Sequence, residues 1–138
     1  MSIQNNNIPI NPTNTIATLA PIIPNKKVLL MGIPGSGKTM TVNKIILNII
    51  ITKYVPTIGG KLYTYKNKKN TNIDIWDIGG KDPYPGITDG YCKNVNHCII
   101  FSNLENQKYI NLIKQYSPNV NIVNYTNENN FKNFLDNL

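Results

Sequence analysis

Apolar residues in this chain fall into short runs whose spacing changes along its length. Lys27 to Met31 is apolar after its first residue, which predicts a buried strand over 26–31. A glycine-rich turn follows, and Met40 to Ile51 then reads as a helix, the whole element spanning 37–51. Residues 52–60 read as a loop. Two strands come next, near 60–66 and 71–77, joined by Asn67-Lys68-Lys69-Asn70. The first alternates Leu62, Thr64 and Lys66 against Tyr63 and Tyr65, and the second carries Ile73, Ile75 and Trp76. Gly and Pro crowd residues 78–90, which predicts no regular element there. Val95 to Phe101 is an apolar strand interrupted only by Asn96 and His97. Tyr109, Ile110, Leu112, Ile113 and Tyr116 give an amphipathic helix over 105–116, with Pro118 just past its end. A short strand at 120–123 and a helix at 131–138, apolar at Phe131, Phe134, Leu135 and Leu138, complete the series. Alternating strands and helices predict a doubly wound α/β sheet, and the tight turn at 67–70 makes one edge strand antiparallel. Residues 1–25, rich in Asn, Pro and Thr, read as a mobile or loosely docked extension preceding a domain at 26–138.

The first strand and helix flank Gly32-Ile33-Pro34-Gly35-Ser36-Gly37-Lys38-Thr39, a G-x-x-x-x-G-K-T stretch in the setting of a P-loop. Glycines let successive backbone N–H groups turn toward one anion, and the helix N-terminus adds partial positive charge behind it. Lys38 is the expected ammonium for the β- and γ-phosphates of a nucleotide, and the Thr39 hydroxyl the expected Mg²⁺ ligand. Ile75-Trp76-Asp77-Ile78-Gly79-Gly80 closes a later strand. Asp77 there is placed to hold Mg²⁺, directly or through water, and Gly80 offers an N–H where a γ-phosphate arrives. Between them, Thr57 of Pro56-Thr57-Ile58-Gly59 lies in a loop that could reach both the metal and the γ-phosphate.

Composition narrows the rest. A chain of 138 residues is one domain. Asn and Ile make up about a third of it, a bias that fits an AT-rich coding genome. The net charge is +7, and every one of its 14 basic residues is Lys. Without Arg, bidentate contacts to guanine or phosphate are missing, so a nucleic-acid partner is not expected, and Lys66 to Lys69 reads as a solvated hairpin tip. The same absence counts against a nucleotide kinase, which needs Arg to clamp two phosphoryl groups. Tyr63 and Tyr65 could stack RNA bases, but aromatics alternating along a strand fit sheet packing better. Cys92, Cys98 and the single His97 lack metal-type spacing and predict buried, reduced thiols. No apolar run reaches membrane-span length, residue 2 is Ser, and the final residues contain no Cys. A soluble protein of cytoplasm or nucleus, without a stable membrane anchor, is the expectation.

The three motifs, in this order and spacing over residues 26–101, resemble the small GTPases of the Ras superfamily. Pro-Thr-Ile-Gly and Trp-Asp-Ile-Gly-Gly resemble the Arf branch, while Gly86-Ile87-Thr88-Asp89-Gly90-Tyr91 resembles the Ran branch. The resemblance implies a P-loop NTPase fold of the small G-domain type, C-terminally shortened, binding GTP or GDP with Mg²⁺. Its nucleotide contacts would come from Gly32, Gly35, Ser36, Gly37, Lys38, Thr39, Met40, Thr57, Gly80 and Asn127. Its metal ligands would be Thr39, Thr57 and Asp77. Effectors or regulators would meet the switch segments 52–60 and 78–91 of a monomer.

Three departures from the family pattern modify this expectation. Lys81 stands where the family has the Gln that orients the attacking water, and a charged ammonium cannot accept a proton. Catalysis, resting on Lys38 and Lys81, should therefore be slow or absent, and Pro34 replaces a small residue of the loop. In Thr126-Asn127-Glu128-Asn129-Asn130, Asn127 matches the guanine-reading Asn-Lys-x-Asp motif, but Glu128 replaces its lysine and Asn130 its aspartate. The alternative for 126–130 is a polar loop and helix N-terminus. The third departure is length: one final helix stands in for a longer tail. Together these leave a slow GTPase, a catalytically inactive mimic of a Ran- or Arf-type protein, and a P-loop ATPase or nucleotide kinase as the readings to test.

Overall fold

The structure, a computed structural model, is described for residues 24–79, 87–101 and 106–138. In chain order its elements are β1 (Lys26–Met31), α1 (Lys38–Leu47), β2 (Gly60–Lys66), β3 (Asn72–Ile78), α2 (Ile87–Tyr91), β4 (His97–Ile100), α3 (Asn106–Tyr116), β5 (Asn121–Asn124) and α4 (Glu128–Asp136). Because Val28, Leu29, Leu30 and Met31 are apolar on both faces, β1 belongs in the middle of a sheet covered on both sides. It lies there, in the strand order β2-β3-β1-β4-β5. β1 runs parallel to β3 and β4, β4 runs parallel to β5, and β2 alone is antiparallel, hairpinned onto β3. The expected α/β sheet with one antiparallel edge is the observed one.

The alternation along β1 divides the core. Val28 and Leu30 face Val42 of α1 and Phe131 and Leu135 of α4, with Ile73, Ile75 and Tyr63 alongside. Leu29 and Met31 face Tyr109 and Ile113 of α3, together with Cys92 and Cys98. Helices thus cover both faces. Both cysteines are buried free thiols, and burial pushes Cys92 up to about 11 and Cys98 up to about 12.

Several boundaries differ from the sequence expectation. α1 stops at Leu47, not Ile51, because Asn48 adopts a left-handed conformation (φ 53°) and both its N–H and that of Ile49 return to the Asn43 carbonyl. That stop leaves Ile49 and Ile50 exposed. The segment expected to be irregular contains α2, held by Tyr91, whose ring packs on Trp76 at 5.4 Å and against Gly60. The strand expected from Val95 begins only at His97, since Val95 N–H donates to Ser117 Oγ at 3.0 Å. α4 starts earlier than residue 131, at Glu128, because the Asn127 side chain caps it by accepting from Asn130 N–H.

The hairpin tip is more than a solvated turn. Lys66, Lys68 and Lys69 are exposed, but Asn67 is buried and donates to the carbonyls of Leu135 (3.0 Å) and Leu138 (3.3 Å). Beside it the Tyr65 hydroxyl donates to Asp136 Oδ1 at 2.6 Å. The tip is therefore fastened to the end of α4. Of the proposed N-terminal extension, residues 1–23 lie outside the described residues, and Asn25 Nδ2 donates to Asp74 Oδ1 at 3.1 Å.

Candidate functional site

The site lies at the carboxyl ends of the parallel strands, where open α/β sheets leave a crevice. Leaving β1, the chain turns through Gly32 (φ 155°), Gly35 (φ 76°) and Gly37 (φ 93°) before entering α1. Positive φ at Gly35 and Gly37 is a conformation that side-chain-bearing residues rarely adopt, which accounts for glycine there. Nothing lies within 4 Å of where a Cβ would project from either one, so the concave side of the loop is open. No side chain caps α1, and its first turn holds no acidic residue, so its leading N–H groups face the loop without a protein anion.

Lys38 is buried at the loop's base. Its ammonium donates to the carbonyls of Gly32 (2.8 Å) and Ile33 (3.1 Å) and to Ser36 Oγ (3.2 Å). Burial lowers its pKa, and the nearby Asp77 carboxylate opposes that shift. Three donors meet three acceptors within the loop, so an incoming phosphate has to displace at least one of them.

Thr39, Thr57 and Asp77 come from α1, the loop before β2, and β3, and they converge. Thr39 Oγ1 donates to Asp77 Oδ2 at 2.5 Å, and Thr57 Oγ1 lies 2.8 Å from Thr39 Oγ1. With the single Thr39 proton committed to the carboxylate, Thr57 is the donor in that second bond. Asp77 is fully buried, and its Oδ1 has no hydrogen-bond partner among the described residues. Burial raises its pKa, opposed by the Thr39 hydroxyl and by the charges of Lys38 and Lys61. Two hydroxyls and a carboxylate with an unpartnered oxygen form an all-oxygen donor set, which suits a hard divalent cation such as Mg²⁺. Gly79 holds this arrangement in place. Its N–H donates to the Gly59 carbonyl at 2.7 Å, and a Cβ on it would collide with the Thr57 carbonyl.

A cleft of about 340 Å³ extends from the loop. Gly35, Ser36, Gly37, Lys38, Thr39 and Met40 line one side, and Tyr54, Val55 and Thr57 the other. Met40 is half exposed at its rim. Gly80, Lys81 and residues 82–86, within the segment 78–91 that the sequence suggested as a switch, lie outside the described residues.

Asn127 is not brought into this cleft. Its Oδ1 accepts from Asn130 N–H at 2.9 Å, Asn130 Nδ2 donates to Thr126 Oγ1 at 2.8 Å, and Glu128 pairs with Lys44 of α1 at 2.7 Å. All three positions read from sequence as a base motif thus have partners inside the protein. Asn124, which the sequence reading passed over, is the last residue of β5 and starts another Asn-x-x-Asn spacing ending at Asn127. Its neighbour Tyr125 stacks on Phe101, with centroids 4.1 Å apart, and its hydroxyl accepts from Thr41 Oγ1 of α1 at 3.4 Å. The signal for this register is the strand end, which sequence periodicity left a residue short.

A mostly parallel sheet whose central strand feeds a glycine loop and a helix, with Lys and Thr at the loop's end and Asp on the adjacent parallel strand, defines a P-loop fold of the small G-domain type. The family model described as "Ras of Complex, Roc, domain of DAPkinase" matches residues 27–130. The chain belongs to this family and so to the Ras superfamily of small GTPases. Among its relatives, an ADP-ribosylation factor-like protein 5 from Dictyostelium discoideum is 29% identical over 89 residues, covering 64% of this chain and 48% of the relative. A probable Rab-related GTPase from Acanthamoeba polyphaga mimivirus is 33% identical over 78 residues, covering 54% of this chain and 36% of the relative. The chain thus matches half or less of the length of either relative.

Proposed function

We propose that this protein binds a guanine nucleotide with Mg²⁺ and hydrolyses GTP slowly. The observation carrying this reading is the convergence of Thr39, Thr57 and Asp77 beside the open glycine loop. Those three residues would hold the ion, which when bound neutralises charge on the phosphates. The protein's own groups do the rest. Backbone N–H groups of 35–39 orient the phosphates, and Lys38 transfers one or more of its loop hydrogen bonds to them. The contact from Thr57 ties the loop over 52–60 to the state of the nucleotide. Lys81 in the water-positioning place favours slow turnover and keeps the inactive mimic as a second reading.

On the base side, partnering of Glu128 with Lys44 and of Asn130 with Thr126 favours the Asn124–Asn127 register, and the capping role of Asn127 favours a relaxed preference for guanine. The Arf-like likeness of Pro56 to Gly59 agrees with the family of the Dictyostelium relative. The Ran-like likeness rests on residues 86–91, of which 87–91 form α2. Segments 52–60 and 78–91 would carry the contacts to regulators or effectors.

The test is calorimetric titration of nucleotide-stripped protein with Mg²⁺ and GDP, GTP, ATP or XTP. Micromolar or tighter binding of guanine nucleotides supports the proposal. Equal binding of all four would keep the phosphate site and discard guanine selectivity, and no binding would overturn the reading.

A further inference from the structure

The two edges of the sheet are built differently. β2, at one edge, carries the exposed Lys61 and Lys66, and lysines along an edge keep another strand from pairing there. β5, at the other edge, is Asn121-Ile122-Val123-Asn124, and no charged residue occurs anywhere in 115–127. Only one side of its backbone is used by the sheet. Asn121 N–H donates to the Asn96 carbonyl at 3.0 Å and Tyr125 N–H to that of Ile100 at 2.9 Å, so the odd-numbered residues bond toward β4. The N–H and C=O groups of Ile122 and Asn124 therefore point outward, where the sheet ends. Beside this edge α4 leaves a cleft of about 540 Å³, lined by Ile99, Val123, Phe131, Phe134 and Leu138. Val123 is thus a half-buried apolar residue on the α4 side of an unprotected edge.

We propose that β5 pairs antiparallel with β5 of a second copy of this chain, about a two-fold axis at Val123, so that the two sheets join into one. Backbone geometry favours that occupant. A two-fold axis normal to the sheet at Val123 sets Ile122 of each copy opposite Asn124 of the other. These are the outward-facing residues, and each such pair exchanges both N–H···O bonds. Centring the axis on Ile122 would instead require Val120, whose N–H is already given to the Ser117 carbonyl at 3.1 Å. At the axis Val123 meets its own counterpart in the non-hydrogen-bonded position, where side chains approach most closely. Both copies of α4 then lie on the same side of the joined sheet, with the two apolar clefts meeting across the Val123 pair. Charge favours the same face. Two chains of net charge +7 repel one another, and the edge without lysine is where they approach with least repulsion. A four-residue strand buries less area than a permanent dimer needs, so the association is reversible and concentration-dependent.

The test is sedimentation of the full chain from micromolar to millimolar concentration, together with oxidative cross-linking of cysteine variants. The native chain should pass from monomer to dimer as its concentration rises. Val123→Cys should give a disulfide-linked dimer on mild oxidation, because facing non-hydrogen-bonded residues have Cα atoms about 4.5 Å apart, within the span of a disulfide. Ile122→Cys, which faces Asn124 across the axis, should stay uncross-linked, as should the native chain, whose Cys92 and Cys98 are buried. Val123→Lys sets two ammonium groups against each other at the axis and should stay monomeric throughout, with circular dichroism confirming its fold. The native series and the cysteine variants decide the matter even if Val123→Lys does not fold. A native chain that remains monomeric at every concentration, cross-linking of Ile122→Cys in place of Val123→Cys, or undiminished dimerisation of folded Val123→Lys would each overturn the proposal.

Discussion

Thr57 Oγ1 lies 2.8 Å from Thr39 Oγ1, although 18 residues separate them, and the same Thr39 hydroxyl donates to Asp77. The loop before β2 is thereby attached to the start of α1 through a hydroxyl chain ending on a buried carboxylate. Displacing that chain removes one tie of residues 52–60 and leaves the Gly79 N–H bond to the Gly59 carbonyl.

Thr39→Ala should therefore abolish the tightening of nucleotide affinity by Mg²⁺, whereas Thr39→Ser should retain it. The expected loss is at least about tenfold in affinity, or about 1.4 kcal/mol. Titrations with Mg²⁺ and with a chelator check it; equal Mg²⁺ stimulation in both variants would remove Thr39 from the ion's ligands.

Asp77→Asn should make the ligand-free protein more stable while weakening Mg²⁺-dependent binding. The buried carboxylate leaves Oδ1 without a partner, a situation costing about 1–3 kcal/mol. Its pKa is raised above the ordinary 3.8, so the folded state holds the proton more tightly than the unfolded state. Its stabilising contribution is present below 3.8 and is lost as pH rises through the raised value. Thermal midpoints between pH 4 and 7 should fall less steeply in the variant, with a gain of a few degrees at pH 7. Parallel curves for the two proteins would refute the assignment.

Tyr65→Phe should destabilise the fold by about 1–3 kcal/mol, since Asp136 would keep only Lys68 at 3.7 Å. Burial and the Asp136 carboxylate push the Tyr65 hydroxyl up to about 12 from 10.0. Its contribution is fully present below pH 10 and lost as pH rises toward 12. Urea midpoints from pH 9 to 12 should decline in the native protein and less so in the variant.

Lys81→Gln should raise single-turnover GTP hydrolysis by at least about tenfold if only the water-positioning group is missing. An unchanged rate with unchanged GTP affinity would favour the inactive mimic.

Gly60→Ala should cost about 1–3 kcal/mol, because a Cβ there meets the Tyr91 ring at 2.7 Å. Adding Tyr91→Ala should relieve most of that clash, giving a non-additive double-mutant cycle. Additive losses would show that α2 does not pack on β2 through this pair.

What was legible in the sequence is what neighbouring residues decide together. The glycine loop, Lys38 and Thr39 form one contiguous stretch whose backbone needs are local, and the strands declare themselves by apolar runs. The motifs at Thr57 and Asp77 were also readable, as types of residue at a spacing. Helix ends were read less well. Asn48 and Asn127 are ordinary polar residues until the backbone turns at them, one into a left-handed stop and the other into an N-cap.

The sequence by itself determined the fold class and the position of the glycine loop with Lys38 and Thr39 at its end, because periodicity and glycine placement act over a few residues. Only the tertiary structure decided that Thr57 reaches Thr39 and that Asn67 and Tyr65 fasten the hairpin to α4. Those contacts join residues as many as 71 positions apart. Strand register and helix packing bring them together, and neither is written in any single stretch of the chain.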